Sequence, residues 1–343
     1  MSGLTGSTPG AATNAGPTGA KAGVESCEID VRVVSMVQTR ENAVQDCEIC
    51  LWACSGVALR YCISLIFTTS GIFGIFGSTW FFQNIVGSFV LGILVTLAPF
   101  QNKRTSFHVS PGITTGFCGS LTTWSSWQQT ISLYFLDENA RFLDGLLCYV
   151  LGHAIFYLSY RGGIHMAEFV LTGKKLKLED ENERSLVLRS HAYLIFGAFF
   201  LVYLFLIVSI VAFPLNRHVF IGIFLGSWGA IIRHRLGKRN RTDGGIPYFT
   251  LLANVLGSIF VAIVSRLCIH SGHSSACDRQ AMTENLAIQV GAGGILGFGG
   301  SLTTVSTYIS EVHKMKTRHA MYSYIFMTFM ATQTFLFIIN GLF

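Results

Sequence analysis

The sequence predicts an all-α polytopic membrane protein with two inverted four-helix repeats joined by one linking transmembrane helix, nine spans in all. Its composition excludes an ordinary soluble domain: 51% of the 343 residues are hydrophobic and 12% are charged, whereas a soluble domain carries about 25% charged residues. Three short patterns also recur, in the same order, in the two halves of the chain. These observations predict a pseudo-dimer with broken helices at its centre.

The spans are predicted from apolar stretches, because a membrane helix needs about 20 mainly apolar residues. We place them at 47–67, 78–99, 110–134, 143–161, 192–213, 217–236, 247–268, 285–310 and 320–341. Alternate loops are basic, and they include Lys103, Lys174, Lys238 and Lys314. Basic loops face the cytoplasm, so the N-terminus is expected inside and the C-terminus outside. The net charge of +6 is therefore interpreted as membrane orientation rather than nucleic-acid binding.

The segments outside the spans have their own character. Residues 1–46 begin with a stretch rich in Gly, Ser, Thr and Pro and lack the apolar core of a signal peptide, which predicts a disordered cytoplasmic segment. The polar run that ends at Asp46 is also consistent with an amphipathic lead-in to the first span. Cys268 and Cys277 bracket a polar loop, where a disulfide and two free thiols are both consistent with the sequence. The other boundaries are 47–162 for the first repeat, 163–216 for a cytoplasmic loop and the linking helix, and 217–343 for the second repeat.

The most informative pattern is a run of glycines and hydroxyl residues that interrupts an apolar span twice. Residues 116–127 read GFCGSLTTWSSW and residues 297–308 read GFGGSLTTVSTY, with eight of twelve positions identical. Unwound backbone is tolerated in mid-membrane only where protein or a water-filled path satisfies it. Two interrupted helices in matching halves therefore point to an ion or substrate site between inverted repeats.

Two further patterns extend the repeat. Arg60 ends a Gly-x-x-x-Arg pattern that recurs at Arg233, and Asn84 begins an Asn-x-x-Gly-Ser pattern that recurs at Asn254. The span at 192–213 has no counterpart in either repeat. An odd helix between two four-helix units inserts the second unit upside down relative to the first, so the halves are expected to pack as an antiparallel pair.

The polar residues within the spans suit a small anion. Acidic residues occur only near span ends, at Glu48 and Glu311, whereas buried acids would mark a proton or cation path. Arg60 and Arg233 supply positive charge without an acid partner in the sequence pattern, although an arginine near a helix end can also snorkel to the membrane surface. The repeated asparagines either donate to an anion or join neighbouring helices.

The break offers two kinds of ligand. Its freed backbone carbonyls suit a hard monovalent cation, because no carboxylate lies nearby in the sequence. Hydroxyls and rings follow the break in both halves. Hydroxyl donors and the positively polarised edges of aromatic rings could pass an anion along, and the rings could equally serve as core packing.

These patterns together resemble those of the CrcB/Fluc fluoride channels, and the duplicated chain with its linking helix resembles the eukaryotic fluoride exporters called FEX. The resemblance covers about residues 48–341. It implies a passive channel that exports F⁻ from the cytoplasm across the plasma membrane, with two antiparallel pores and a central structural Na⁺. It also implies a protein that works as a monomer in the lipid bilayer and is not an enzyme.

The resemblance assigns roles to particular residues. Na⁺ would be bound by the backbone carbonyls of Gly119, Thr122, Gly300 and Thr303. The family's pore phenylalanines correspond to Trp124, Trp127, Val305 and Tyr308. Its hydroxyl track corresponds to Ser125, Ser126, Ser306 and Thr307. Its pore asparagine corresponds to Asn84 and Asn254, and its vestibule arginine to Arg60 and Arg233.

The chain departs from the family at the ring positions, because none of the four holds Phe and Val305 has no ring. The two pores are therefore expected to differ, with one of them vestigial. A transporter of another small anion or solute and a non-transporting membrane scaffold are the alternatives. An intramembrane enzyme is disfavoured because His153 has no acidic or nucleophilic partner at helical spacing.

Overall fold

The structure is a computed structural model that describes residues 19–70, 80–98, 110–137, 141–172, 184–240, 245–270 and 285–342. All regular elements within these ranges are helical, which confirms the predicted all-α fold. In chain order they are α1 (Gly19–Ser70), α2 (Phe81–Leu97), α3 (Gly112–Cys118 continued by Gly119–Leu121), α4 (Trp124–Phe135), α5 (Phe142–Thr172), α6 (Arg184–Ala212), α7 (Arg217–Gly237), α8 (Tyr248–His270), α9 (Leu286–Gly294, Ile295–Gly299 and Gly300–Leu302), α10 (Ser306–Lys314) and α11 (Arg318–Leu342).

Each of the nine predicted spans coincides with helix in the structure. Seven segments of the described chain are long and apolar enough to cross a membrane on their own. The two exceptions are α2, with 17 residues, and the broken pair α3 and α4. The number of membrane crossings stays a prediction.

The first helix begins earlier than the sequence analysis predicted. Residues 19–46 are helical, so the prediction of disorder is not met there, whereas residues 1–18 lie outside the described residues. The helix runs on because neither Gly nor Pro occurs between Val24 and Ser55, and those two residues are the strongest helix breakers. Cys277 also lies outside the described residues, so its disulfide with Cys268 stays a prediction.

The two repeats use the same pairing of helices. In the first half α2 packs against α5, and in the second half α8 packs against α11. The helices that follow the breaks then cross to the opposite half: α4 packs against α8 and α11, and α10 packs against α2 and α5. The halves are therefore interlocked at the centre, as an internal pseudo-dimer requires.

The linking helix α6 lies at the edge of this assembly. It packs against α7, and Tyr203 donates a hydrogen bond to the hydroxyl of Ser227 there. Only 11% of its most apolar stretch is buried inside the protein, and large side chains such as Phe200 and Leu201 are exposed. An apolar helix with this exposure is suited to contact lipid, which agrees with a topological role.

Candidate ion pathway at the crossing of two broken helices

The two breaks have the same backbone geometry. Thr122 ends α3 with φ −89° and ψ 153°, and Thr303 ends α9 with φ −91° and ψ 156°. Extended residues at these points stop the helices in their buried part, since both threonines are fully buried. The repeated sequence therefore produces a repeated structure, in which helical hydrogen bonding stops at matching positions.

Hydrogen bonds between threonine and serine hydroxyls connect the two breaks across the halves of the chain. The Thr122 hydroxyl lies 3.2 Å from that of Thr304 and 3.1 Å from that of Ser306. In the mirror arrangement, the Thr303 hydroxyl lies 3.1 Å from that of Ser125. The other two predicted hydroxyl residues, Ser126 and Thr307, receive hydrogen bonds from a threonine of their own half. The structure thus brings the predicted hydroxyl track together at one buried crossing.

Close helix approach explains the glycine in the repeated Gly-x-x-x-Arg pattern. A Cβ atom at Gly56 would lie 2.6 Å from the carbonyl oxygen of Phe117. A Cβ atom at Gly229 would lie 2.5 Å from the carbonyl oxygen of Phe298. Only glycine lets the first helix of each repeat approach its broken helix this closely, as small residues do at membrane helix interfaces.

The repeated asparagines hold the backbone just after each break. The Asn84 amide nitrogen donates to the Thr123 carbonyl at 3.1 Å, and the Thr123 amide donates back to the Asn84 oxygen at 2.8 Å. Asn254 makes the same pair of bonds with Thr304, at 3.3 and 2.8 Å. These contacts fit the interhelical interpretation. A direct role for either amide in binding an ion stays a prediction.

The repeated arginines reach the crossing rather than a solvent-filled vestibule. Arg233 Nη1 donates to the carbonyls of Gly119, at 2.6 Å, and Thr303, at 3.1 Å, and its Nη2 donates to Thr115 at 2.6 Å. Arg60 is also buried and donates to the carbonyl of Leu296. The ion pairs found among the described residues involve other side chains. The two guanidinium groups therefore bring positive charge into the core next to backbone carbonyls.

These contacts bear directly on the predicted sodium ligands. Of the four carbonyls assigned to Na⁺, those of Gly119 and Thr303 already accept from Arg233. A Cβ atom at Gly300 would lie 2.6 Å from both terminal nitrogens of Arg60, so a second guanidinium borders the same place. The residues at the crossing therefore do not fit a bare sodium ion in this arrangement. Sodium binding stays a prediction.

The four predicted ring positions meet in one buried cluster. The ring centroids of Trp124 and Tyr308 lie 4.7 Å apart, and those of Trp124 and Trp127 lie 5.2 Å apart. Val305 is fully buried with them. His153 contacts this cluster through Tyr308, with 5.7 Å between ring centroids. Two faces border this cluster, one along α11 and one along α5, and their side chains differ in chemistry.

One of these faces is a polar column along α11, defined here by its buried polar residues Tyr324, Thr328, Thr332, Gln333 and Asn340. The Trp124 indole donates to the Thr332 hydroxyl at 3.1 Å, and the Gln333 amide donates to the Gln128 side chain at 2.8 Å. Tyr324 to Asn340 spans about 24 Å at 1.5 Å per helical residue, most of a hydrocarbon core about 30 Å thick. The column is therefore long enough to cross most of the hydrocarbon core of a membrane.

Each end of the α11 column carries an ionisable side chain. At the end near Tyr324, the Glu311 carboxylate accepts from the Tyr324 hydroxyl at 2.8 Å and from the Thr250 hydroxyl at 2.7 Å. At the other end, Arg266 donates to the backbone and side-chain oxygens of Asn340. This column was not predicted, although polar residues four apart in the last span are a signal that the sequence contains.

The face along α5 is lined mainly by aromatic rings. The Trp127 ring packs against Phe156 with centroids 5.0 Å apart and against Trp80 at 6.0 Å. A Cβ atom at Gly152 would lie 2.9 Å from the Trp127 ring, so the ring also fills the space beside α5. The inward residues Cys148, Phe156 and Tyr160 are buried and offer one hydroxyl, which bonds to Ser310. The two faces therefore differ in chemistry, and the inequality of the two paths stays a prediction.

The fold and this crossing define a duplicated, all-α membrane protein whose two repeats interlock at a buried crossing. The family model for CrcB-like protein, Camphor Resistance (CrcB), matches residues 47–163 and again 219–342. The chain belongs to this family. The two matched segments lie close to the two predicted repeats.

Named relatives support the same relationship. The chain is 26% identical to Fluoride export protein 1 of Candida albicans over 285 residues, which cover 76% of this chain and 70% of the relative. It is 34% identical to Fluoride-specific ion channel FluC 1 of Staphylococcus aureus over 128 residues, 36% of this chain and 81% of the relative. FluC 2 of Staphylococcus saprophyticus is 37% identical over 112 residues, 32% of this chain and 87% of the relative. No solved structure matches the chain.

Proposed function

We propose that this protein is a passive, fluoride-selective channel that exports F⁻ from the cytoplasm and so protects the cell from fluoride. The duplicated family match and the names of the relatives support the ion. The observation that carries the proposal is the polar column along α11, which contacts Trp124 beside the crossing and extends toward both ends of the helix. The function is accordingly transport rather than catalysis.

The chemistry of the column suits a small anion that is held tightly by water. Hydroxyl, amide and indole N–H groups can donate to F⁻ in place of water, and ring edges carry partial positive charge. The two buried guanidinium groups favour an anion over a cation in the core of the protein. Thr328 and Thr332 are fully buried, so the column is closely packed there. A small anion such as F⁻ therefore fits into the column more easily than chloride.

Of the two faces, the α11 column is proposed to conduct and the α5 face to be vestigial. Hydrogen-bonding side chains continue along α11, whereas Trp127 and Phe156 fill the matching region beside α5. Equivalent positions of the two repeats also differ. Gln128, on the α11 side, corresponds to Ile309 in the second repeat. One working path and one closed path then share a single crossing.

The positive charge at the crossing is proposed to come from the chain itself. Arg233 supplies donors to carbonyls of both broken helices, which is the bridging function that the family resemblance gives to Na⁺. A structural Na⁺ would need those same carbonyls. We therefore assign the bridge to Arg233 in place of Na⁺.

The proposed setting is the plasma membrane, with the N-terminus in the cytoplasm and the C-terminus outside. The basic loops support this orientation. A single chain contains both halves of the crossing, which supports function as a monomer. An inside-negative potential then drives F⁻ outward with about 2.3 kcal/mol per 100 mV, without consumption of ATP.

The proposal is tested by anion efflux from liposomes that contain the purified protein. With valinomycin and a K⁺ gradient to set the potential, we expect rapid F⁻ efflux and negligible Cl⁻ efflux. Protein-free liposomes control for leakage of HF. Comparable efflux of the two anions would contradict fluoride selectivity, and absence of F⁻ efflux would leave the scaffold alternative.

A further inference from the structure

The α11 column ends on a cation that neither the sequence patterns nor the family resemblance pointed to. Arg266 lies near the end of α8, and its Nε donates to the Asn340 side-chain oxygen at 3.2 Å. Its Nη2 donates to the Asn340 backbone carbonyl at 2.7 Å. Both contacts are made to the last inward-facing polar residue of α11, so the guanidinium covers the end of the column.

Three successive groups of hydrogen-bonded side chains lie inward from this arginine. The Asn340 amide donates to Gln129 at 3.3 Å and to the Ser132 hydroxyl at 3.1 Å. The neighbouring residue on α4, Gln128, bonds to Gln333, and the indole of Trp124 bonds to Thr332 nearer the crossing. An anion at Arg266 would therefore be one hydrogen-bonded step from the donors of the column.

The charge of Arg266 is not cancelled within the described part of the chain. The ion pairs found there join Arg141 to Asp144, His165 to Glu168 and Arg235 to Asp46. Arg266 is only partly buried, so part of its side chain lies at the surface of the protein. Its hydrogen bonds to Asn340 hold the guanidinium in a fixed place, and they leave its positive charge available to an anion.

Only one half of the repeat has this feature. Aligning Asn254 with Asn84 places Arg266 opposite Thr96, whose hydroxyl bonds back to the Gly92 carbonyl of its own helix. The α5 face therefore has no cation at the equivalent position. The asymmetry coincides with the difference between the polar and the aromatic face, which is expected if the arginine serves the conducting path.

We propose that Arg266 is an anion-gathering residue at the mouth of the α11 column, which raises the local concentration of F⁻ and exchanges the ion with the donors at Asn340. The inference rests on the proposed function of the column. By the predicted orientation this mouth faces outward, so Arg266 would receive F⁻ as it leaves. A fixed charge at a narrow entrance concentrates its counter-ion and speeds exchange, and salt weakens the effect.

The test compares Arg266→Gln with Arg266→Lys and with Arg217→Gln in the liposome assay. Arg217 is a matched control, because it also anchors on a carbonyl and an amide, those of Ile210 and Gln289, away from the column. At low ionic strength we expect F⁻ efflux to fall about tenfold in Arg266→Gln, and to stay near the wild-type rate in Arg266→Lys and Arg217→Gln. An impermeant salt at high concentration should shrink the difference between wild type and Arg266→Gln.

Three results would overturn this role. Wild-type efflux in Arg266→Gln would show that the charge is not used, and an equal loss in Arg266→Lys would show that only the bond geometry to Asn340 matters. A loss that does not change with ionic strength would likewise indicate a structural brace. Wild-type protein that passes no F⁻ would instead contradict the proposed function, so the two failures are distinguishable.

Discussion

Arg233 donates from Nη1 to the carbonyl oxygen of Gly119 at 2.6 Å, which joins the second half of the chain to the broken helix of the first. The same nitrogen donates to the carbonyl of Thr303 at 3.1 Å. One guanidinium therefore bridges both breaks, and bonds from a charged donor are the stronger kind in proteins. This contact makes the identity of the central cation testable.

Replacing Na⁺ with N-methyl-D-glucamine should leave both the unfolding temperature and F⁻ efflux unchanged, because Arg233 occupies carbonyls that a sodium ion would need. An ion that binds only the folded protein would stabilise it by about 2.7 kcal/mol at 100 times its Kd, which a thermal melt detects. A saturable rise in unfolding temperature with Na⁺ would contradict the assignment and restore the sodium ion.

The variant Arg233→Met supplies the matching experiment. It removes three hydrogen bonds to carbonyls and should destabilise the protein and reduce efflux, with each lost charge-assisted bond worth about 1.5–3 kcal/mol. Its melt should then respond to Na⁺, because the carbonyls are free again. Arg60→Met should be milder, since the structure shows Arg60 bonded to Leu296 alone. Equal effects of the two variants would count against the bridge.

Substitutions within the break should differ according to what the new atoms meet. Gly119→Val and Gly300→Val place a side chain against Arg233 and Arg60, and overpacking of this kind costs roughly 1–3 kcal/mol. Thr122→Ser keeps the hydroxyl that contacts Thr304 and should be mild. We expect this order in both thermal stability and F⁻ efflux.

The control for the glycine series is Gly197→Ala in the linking helix, where an added Cβ meets no atom within 4 Å. It should melt at or above the wild-type temperature, because alanine favours helix by about 1 kcal/mol over glycine. Full F⁻ efflux in the double variant Gly119→Val/Gly300→Val would show that the close contact of these glycines with Arg233 and Arg60 is not important for transport.

The sequence predicted the repeated parts of the site well, because chemistry that recurs at the same spacing is hard to obtain by chance. The break at Thr122 and Thr303, and the asparagines that clasp it, have the same geometry in both halves. The position of Arg233 was not predictable. A long flexible side chain on a known helix face can reach either water or the crossing, and only the packed structure shows which carbonyls it contacts.

The polar column could not be predicted from the repeats, because it occurs in only one half of the chain. Thr328 and Thr332 are common residues in membrane helices, where their hydroxyls bond to their own backbone, as they do here. Their place in a polar column becomes clear only from the contacts that α11 makes with Gln128 and Trp124, which lie about two hundred residues earlier in the chain. The start of α1 at Gly19 was also not predicted, because the polar composition of this segment was given more weight than the absence of Gly and Pro between Val24 and Ser55.

Hydrogen-bonding groups on the two faces should respond differently to deletion. Thr332→Val removes the acceptor of the Trp124 indole on the polar column, and a loss of about 1.4 kcal/mol at the barrier lowers F⁻ efflux about tenfold. Tyr160→Phe removes the hydroxyl bonded to Ser310 beside α5 and should leave efflux near the wild-type rate. If Tyr160→Phe is the more damaging variant at matched stability, the conducting face has been assigned to the wrong helix.

Asn84→Asp and Asn254→Asp should have unequal effects on F⁻ efflux. Each asparagine makes the same two bonds to the backbone after a break, so a carboxylate should cost each site a similar amount of stability. Asn254 lies on α8, which packs against α4 and α11, and a negative charge there repels F⁻ from the conducting column. We expect Asn254→Asp to be nearly inactive and Asn84→Asp to retain most efflux. Thermal melts of the two variants provide the control, and equal half-losses at equal stability would show that both paths conduct.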